Sequence, residues 1–309
     1  MPVVSPGLES IDGRTGRRTS LLAGLALLSV TACWGSTFFL IKDLLDRMPV
    51  LDFLAVRFAV ASVVLWLLFP RAPARLSRSS RRQAVLLGAV YGVAQMLQTA
   101  GLAHTSASVS GFITGLYVVC TPLFAALLLR ARIGAVTWAA VVLAVSGLGV
   151  LTLSGLAVGY GEALTLVSAL LYALHIVGLG AWSAPRDAMG MTIVQLVVIT
   201  VLCLAVSAWD GVQLPASSGD WMSVVYMAVL AGALGLAAQT WAQAHLAPTR
   251  AAIIMTMEPV FAAVFAVLLG GETATLRMLV GGLLVLAAML LVEVGPRRRI
   301  EAEVPHIAV

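Results

Sequence analysis

The sequence predicts an all-α integral membrane protein of ten transmembrane helices, arranged as two inverted five-helix repeats with both termini cytoplasmic. Three observations carry that expectation: a composition too apolar for a water-facing surface, ten separate apolar runs of membrane-spanning length, and a set of polar motifs that occurs once in each half of the chain. Of 309 residues, 61% are hydrophobic and 11% charged, and mean hydropathy is +1.02. A soluble domain carries about 25% charged residues and needs them to cover its exterior.

A spanning helix needs roughly 20 mostly apolar residues. Such runs lie at 21–42, 52–70, 83–103, 107–129, 134–153, 158–182, 189–208, 220–245, 250–269 and 275–294, giving spans 1 to 10. Span 1 follows Arg14, Arg17 and Arg18 in the manner of a secretory signal, but no small-residue cleavage site follows it and nine further spans do, so it is expected to stay as the first helix. The separators carry turn chemistry and charge: PRAPARLSRSSRR between spans 2 and 3, APRDAMG between 6 and 7, WDGVQLPASSGD between 7 and 8, and GPRRR after span 10. Residues 1–20 and 296–309 are expected to be cytoplasmic tails without order.

Lys and Arg are retained on the cytoplasmic side of short loops. With the amino terminus inside, the inner segments hold fifteen basic residues and the outer ones only Lys42, Arg47 and Arg277, with Arg57 just within span 2. The net charge of +5 is therefore topology and lipid-headgroup contact rather than a nucleic-acid surface. One of the 19 basic residues is lysine, as in a GC-rich bacterial genome, which points to a bacterial cytoplasmic (inner) membrane. Cys33, Cys120 and Cys203 fall inside spans and read as small packing residues, with no disulfide or metal role.

The halves echo one another. QTAGLAH (98–104) pairs with QTWAQAH (239–245), CTPLFAALLL (120–129) with MEPVFAAVFA (257–266), and ACWGSTFFL (32–40) with LLYALHIVG (170–178), all in one order and spacing. The repeats then run 21–155 and 156–295. Each holds five spans, and because five is odd the second crosses the bilayer upside down relative to the first. Secondary transporters recurrently use that construction, with a site near the midplane between the halves.

Polar groups at membrane depth are the candidate site. Glu258 is the one acid near the centre of a span, where a carboxylate costs about 2.5–3.5 kcal/mol on insertion scales. It precedes Pro259, which lacks an N–H and disturbs the helix; Pro122 holds the matching place in span 4, with Thr121 instead of the acid. These three are candidates for coupling or gating, Glu258 also for a purely structural hydrogen bond. Gln95 and Gln98 on span 3, and Gln239 and Gln243 on span 8, share helix faces and either contact a substrate or join helices. Trp34 and Tyr172 pair across the repeat, Tyr117 lies on span 4, and His175 is within span 6; with the glutamines they form the candidate substrate-binding set. His104 and His245 end their spans and read as interfacial. The other tryptophans read as an interface belt, Gly111, Gly115, Gly281 and Gly282 as packing positions, and Glu162 and Glu272 as solvated.

ACWGSTFFLIKDLL, FLAVRFAVASVVL (53–65), TSASVSGFITGLYVVCTPLFAALLL (105–129) and MEPVFAAVFAVLLGGE (257–272) resemble the drug/metabolite transporter superfamily, EamA type, over almost the whole chain. The resemblance implies ten helices in two inverted five-helix repeats, termini inside, a central cavity lined mainly by spans 1, 3, 4, 6, 8 and 9, and export of amino acids, other metabolites or toxic compounds. It departs from many relatives at Arg130 and Arg132 after span 4, where those carry a Glu like Glu272.

The expected function is a secondary transporter exporting small amphipathic metabolites by alternating access, with proton coupling as one option and an uncoupled facilitator or channel as the alternative. An intramembrane enzyme would need a nucleophile and base or a metal set, and the chain has neither spacing nor a GxxxxGK[ST] loop for ATP. No catalytic residue, cofactor or metal is expected. The expected partners are a small-molecule substrate and the lipid bilayer, with the chain a monomer or homodimer and no nucleic acid. A lining neutral but for one acid favours zwitterionic or neutral solutes over polyanions.

Overall fold

The computed structural model describes residues 8–129, 134–154, 157–182, 186–207, 211–235 and 254–294, with Ala238 and Ala242. These residues are helical almost throughout. The first half forms α1 (Leu8–Leu45), α2 (Val50–Leu68), α3 (Arg78–His104), α4 (Ala107–Gly115), α5 (Tyr117–Leu129) and α6 (Ala135–Thr152). The second forms α7 (Tyr160–Trp182), α8 (Ala188–Ser207), α9 (Ser218–Val225) running into a π-helical segment (Tyr226–Leu234), α10 (Glu258–Leu268) and α11 (Leu276–Val294). Between the halves, β1 (Leu153–Ser154) and β2 (Ala157–Val158) pair antiparallel.

Among the described residues, six helical stretches are long and apolar enough to cross a membrane: Leu21–Leu45, Val50–Leu68, Arg78–His104, Ala107–Leu128, Tyr160–Leu179 and Ala188–Ser207. Four shorter apolar helices, Ala135–Leu151, Ser218–Leu234, Glu258–Leu268 and Leu276–Val292, fall where spans 5, 8, 9 and 10 were expected. Outward positions are apolar: Leu127, Val142, Leu268 and Leu283 are 64–72% exposed, a surface that suits hydrocarbon and not water.

Local rules explain the boundaries. The Ser77 hydroxyl accepts from the Ser80 N–H at 3.0 Å and Ser106 from the Val109 N–H at 3.3 Å, N-caps that start α3 and α4. Ser217 and Asp220 form a reciprocal capping box at α9. α1 begins at Leu8, so part of the tail expected to lack order is helical; once a helix is nucleated in the apolar stretch, each added residue brings one further hydrogen bond.

The helices pack in a pattern that survives exchange of the halves. α6 lies on α11, α2 on α8 and α4 on α10, each an equivalent pair. α1 lies on α10 as α7 lies on α4 and α5; α3 lies on α7 as α1 lies on the π segment; α3 lies on α8 as α2 lies on the π segment. Small residues allow the closest approaches. A Cβ on Gly35 of α1 would sit 2.5 Å from the Phe261 Cβ, and one on Gly111 of α4 would sit 2.6 Å from the Ala262 Cβ. Both helices therefore press on the first turns of α10, immediately after Glu258. Gly115 packs on Met289 and Pro259, Gly281 on Leu151 and Gly282 on the Phe112 ring, all in the packing role expected of them.

Candidate functional site

Where α1, α2, α3, α4, α5, α7, α8, the π segment and α10 converge, they enclose a cavity of about 300 Å³. Of the candidate residues, Trp34, Gln95, Gln98, Tyr117, Tyr172, His175 and Glu258 line it. Gln239 and Gln243 lie outside the described residues, as do His245, Trp209 and Trp241. Thr37, Thr99, Thr114 and Thr192 add hydroxyls to the wall, and Phe38, Phe58, Leu102 and Met227 add apolar surface.

Two cross-half hydrogen bonds shape the walls. Trp34 on α1 donates its indole N–H to the Ala231 carbonyl of the π segment at 2.7 Å, and Tyr172 on α7 donates its hydroxyl to Gln98 Oε1 on α3 at 2.8 Å. Each runs from the first span of one repeat to the third span of the other, but the acceptors differ: a backbone carbonyl at Ala231 and a side chain at Gln98, whose repeat counterpart is Gln239. Gln98 passes the chain on, donating to Thr114 Oγ1 at 3.0 Å, while Gln95 donates to the Tyr91 hydroxyl at 3.0 Å. Gln98 thus joins α3 to α4 and α7 while lining the cavity, whereas the Gln95 bond stays within α3. The Tyr226 hydroxyl lies 2.7 Å from Ser36 Oγ and 3.0 Å from Cys33 Sγ, tying α1 to the start of the π segment.

His175 is committed to a neighbour. Its Nε2 is 2.6 Å from Gln195 Oε1. Gln195 donates its own amide to the Met191 carbonyl at 3.3 Å, so its oxygen is the acceptor and His175 Nε2 carries the hydrogen. The imidazole stacks on Tyr91 with centroids 4.9 Å apart, and Tyr91 in turn meets Tyr172 at 5.6 Å and Phe58 at 6.5 Å.

Glu258 opens α10, with Pro259 in the first turn, where a carboxylate faces the positive end of the helix dipole. The break lies just upstream, at Thr256 and Met257, so Pro259 starts a helix instead of bending one. In the first half the break is at Leu116, between α4 and α5, and Pro122 sits inside α5 one turn or more beyond it, with Thr121 Oγ1 bonding the Tyr117 carbonyl at 2.7 Å. Pro122 is not among the cavity-lining residues.

The cavity holds a cation that the sequence reading placed only as a topological charge. Arg57 of α2 lines it, its Cζ 5.4 Å from the Phe58 ring centre and 5.9 Å from that of Phe53. Among the described residues no carboxylate pairs with it, and Glu258 likewise forms no ion pair. Cation–π contacts supply roughly 0.5–2 kcal/mol against about 2.5–3.5 kcal/mol for a charge at membrane depth. The remainder has to come from polar matter within the cavity. The expectation of a lining neutral but for one acid is therefore corrected: it contains one acid and one base. Tyr91 and Gln195 were also missed, although Gln195, a glutamine in mid-span, meets the criterion that selected Gln95.

Polar contacts tie the helix ends together at one end of the bundle. Arg47 pairs with Asp43 at 2.6 Å and Asp220 at 2.9 Å, and hydrogen bonds to both carboxylates raise its already high pKa. Lys42 donates to the last carbonyls of α3, Leu102 at 3.2 Å and Thr105 at 2.5 Å, and Thr105 donates to Glu162 at 2.8 Å. Glu272 accepts from the Ala107 N–H and the Ser108 hydroxyl, each at 2.5 Å, capping α4 from the opposite half. Glu162 and Glu272, expected to be solvated, are thus structural acceptors.

Two stretches of the chain, residues 21–153 and 159–294, each match the model of the EamA-like transporter family. The chain belongs to the EamA-like transporter family. It is a multi-pass membrane transporter built from two EamA repeats. An "Uncharacterized transporter" of Archaeoglobus fulgidus is similar to it, 28% identical over 273 residues, covering 88% of this chain and 86% of the relative. A crystal structure of a protein 16% identical superposes with TM-score 0.60 over 89% of this chain and 96% of that one, a likeness of fold alone.

Proposed function

We propose that this EamA-like transporter is a secondary transporter of a bacterial cytoplasmic membrane, exporting small amphipathic metabolites such as amino acids, related zwitterions or toxic compounds. All ten apolar segments cross the bilayer, the two repeats, 21–155 and 156–295, are inverted, and both termini are cytoplasmic. The substrate sits in the central cavity, contacted by Trp34, Gln95, Gln98, Tyr117, Tyr172 and His175, with Gln239 and Gln243 on the same route. The single observation that carries this reading is a cavity walled by both halves, amphipathic in lining, with Glu258 among the residues that line it.

Alternating access follows from the exchangeable packing pattern: if one arrangement closes the Arg47–Asp220 end, its pseudo-symmetric counterpart closes the other. Glu258 carries the coupling proton. The charged and titratable residues that line the cavity with it are Arg57, Tyr91, Tyr117, Tyr172 and His175, and neither Arg57 nor His175 forms an ion pair with it among the described residues. Pro122, inside α5, and Pro259, in the first turn of α10, are the gating positions of the two fourth spans, each just beyond its break.

Flux of amino acids in proteoliposomes with an imposed proton gradient tests the coupling. Wild type should accumulate substrate with the gradient, and Glu258→Gln should lose the accumulation while retaining exchange. Flux indifferent to the gradient in both proteins would leave the uncoupled facilitator as the better account.

A further inference from the structure

The cavity's basic residue has no role in the reading above, and its surroundings specify one. The Arg57 Cζ lies over the Phe58 and Phe53 rings, and a cation–π contact engages the charge without consuming the N–H edge. Among the described residues no carboxylate takes that edge, and Arg57 lines the same enclosed space as Glu258 without pairing with it. Tyr91 and Tyr172, whose rings meet at 5.6 Å, line the same cavity as both groups.

We propose that Arg57 is the carboxylate-recognition residue of the cavity, so that a free α-carboxylate is a required feature of the transported solute. This rests on the transport reading above. A guanidinium is always charged and presents parallel N–H donors that match a carboxylate bidentately. A substrate held there lays its apolar part against Phe58 and Tyr91 and turns its ammonium toward Glu258. One guanidinium opposed by one carboxylate balances a single zwitterion. A dicarboxylate or a phosphate dianion brings a second negative charge that Glu258 repels, and a plain amine leaves Arg57 unanswered. The site therefore selects monocarboxylate zwitterions over amines, amides and dianions.

The test is competition in counterflow by the full chain in proteoliposomes, using matched acid and carboxamide pairs: leucine with leucinamide, phenylalanine with phenylalaninamide, tryptophan with tryptophanamide. For the pair of highest flux, wild type should prefer the acid roughly ten- to hundredfold, the range of a hydrogen bond to a charged group. Arg57→Gln should bring that ratio close to one, and Arg57→Lys, which keeps the charge and loses the fork, should retain part of it. A wild-type ratio near one would overturn the assignment, as would an Arg57→Gln protein that keeps the ratio while both rates fall, since that is the mark of a structural role. Should Arg57→Gln not fold, the wild-type ratio and the Arg57→Lys ratio decide. Absence of counterflow with every acid and every amide would count against the transport reading itself instead.

Discussion

Trp34 and Gly35 are neighbours with separate tasks. The indole of Trp34 holds the Ala231 carbonyl across the halves, and Gly35 gives Phe261 and Ala262 the room a side chain would occupy. Trp34→Phe removes one hydrogen bond and should lower stability by about 1 kcal/mol. Gly35→Ala forces a Cβ to 2.5 Å from the Phe261 Cβ and should cost about 1–3 kcal/mol, because α1 and α10 have to separate. Thermal unfolding of the purified protein ranks the two, and a larger loss for Trp34→Phe would contradict this account. Trp34, Tyr172, Gln98 and Glu258 were legible in the sequence because each is a polar or amphipathic group well inside an apolar run. Arg57 was not, because it lies early in span 2, where a basic residue reads as a boundary marker; only the placement of α2 against the aromatic cluster turns it toward the cavity.

Among the elements, α4 depends on a residue from the other half. Gly271, at φ +71°, takes a left-handed turn after α10, and the chain then delivers Glu272 to the first turn of α4. Glu272→Ala should expose those amides, weakening the cap by about 1 kcal/mol. Hydrogen exchange at Ala107 and Ser108, whose amides Glu272 caps, should quicken roughly fivefold, which is that loss expressed as a ratio, while α2 stays unchanged. Exchange at its wild-type rate would mean that the cap is dispensable. The long helices were readable from apolar length, and most boundaries from Pro, Gly and Ser. The π segment was not: Tyr226–Leu234 is an ordinary apolar run in sequence, and its wider turns become visible only where Ala231 offers its carbonyl to Trp34. Nor was the division of span 4 at Leu116, since the only local signal, Pro122, lies beyond the break.

Over the whole molecule, two EamA repeats meet around a cavity that each helps to wall, and the packing of one half is repeated by the other. The duplication was legible because three motif pairs keep order and spacing; the charge pair within the cavity was not, because Arg57 and Glu258 are far apart in the chain and belong to spans that are not repeat equivalents. The central claim is that this cavity is the transport site and opens to each side in turn. It is tested most directly by a single cysteine at Thr192, a partly exposed residue of the cavity wall, in a protein whose Cys33, Cys120 and Cys203 are replaced by serine or alanine. The account predicts that a membrane-impermeant thiol reagent modifies this cysteine from either face of sealed vesicles, and that a transported amino acid protects it from both. Modification from one face only, or indifference to the amino acid, would contradict it.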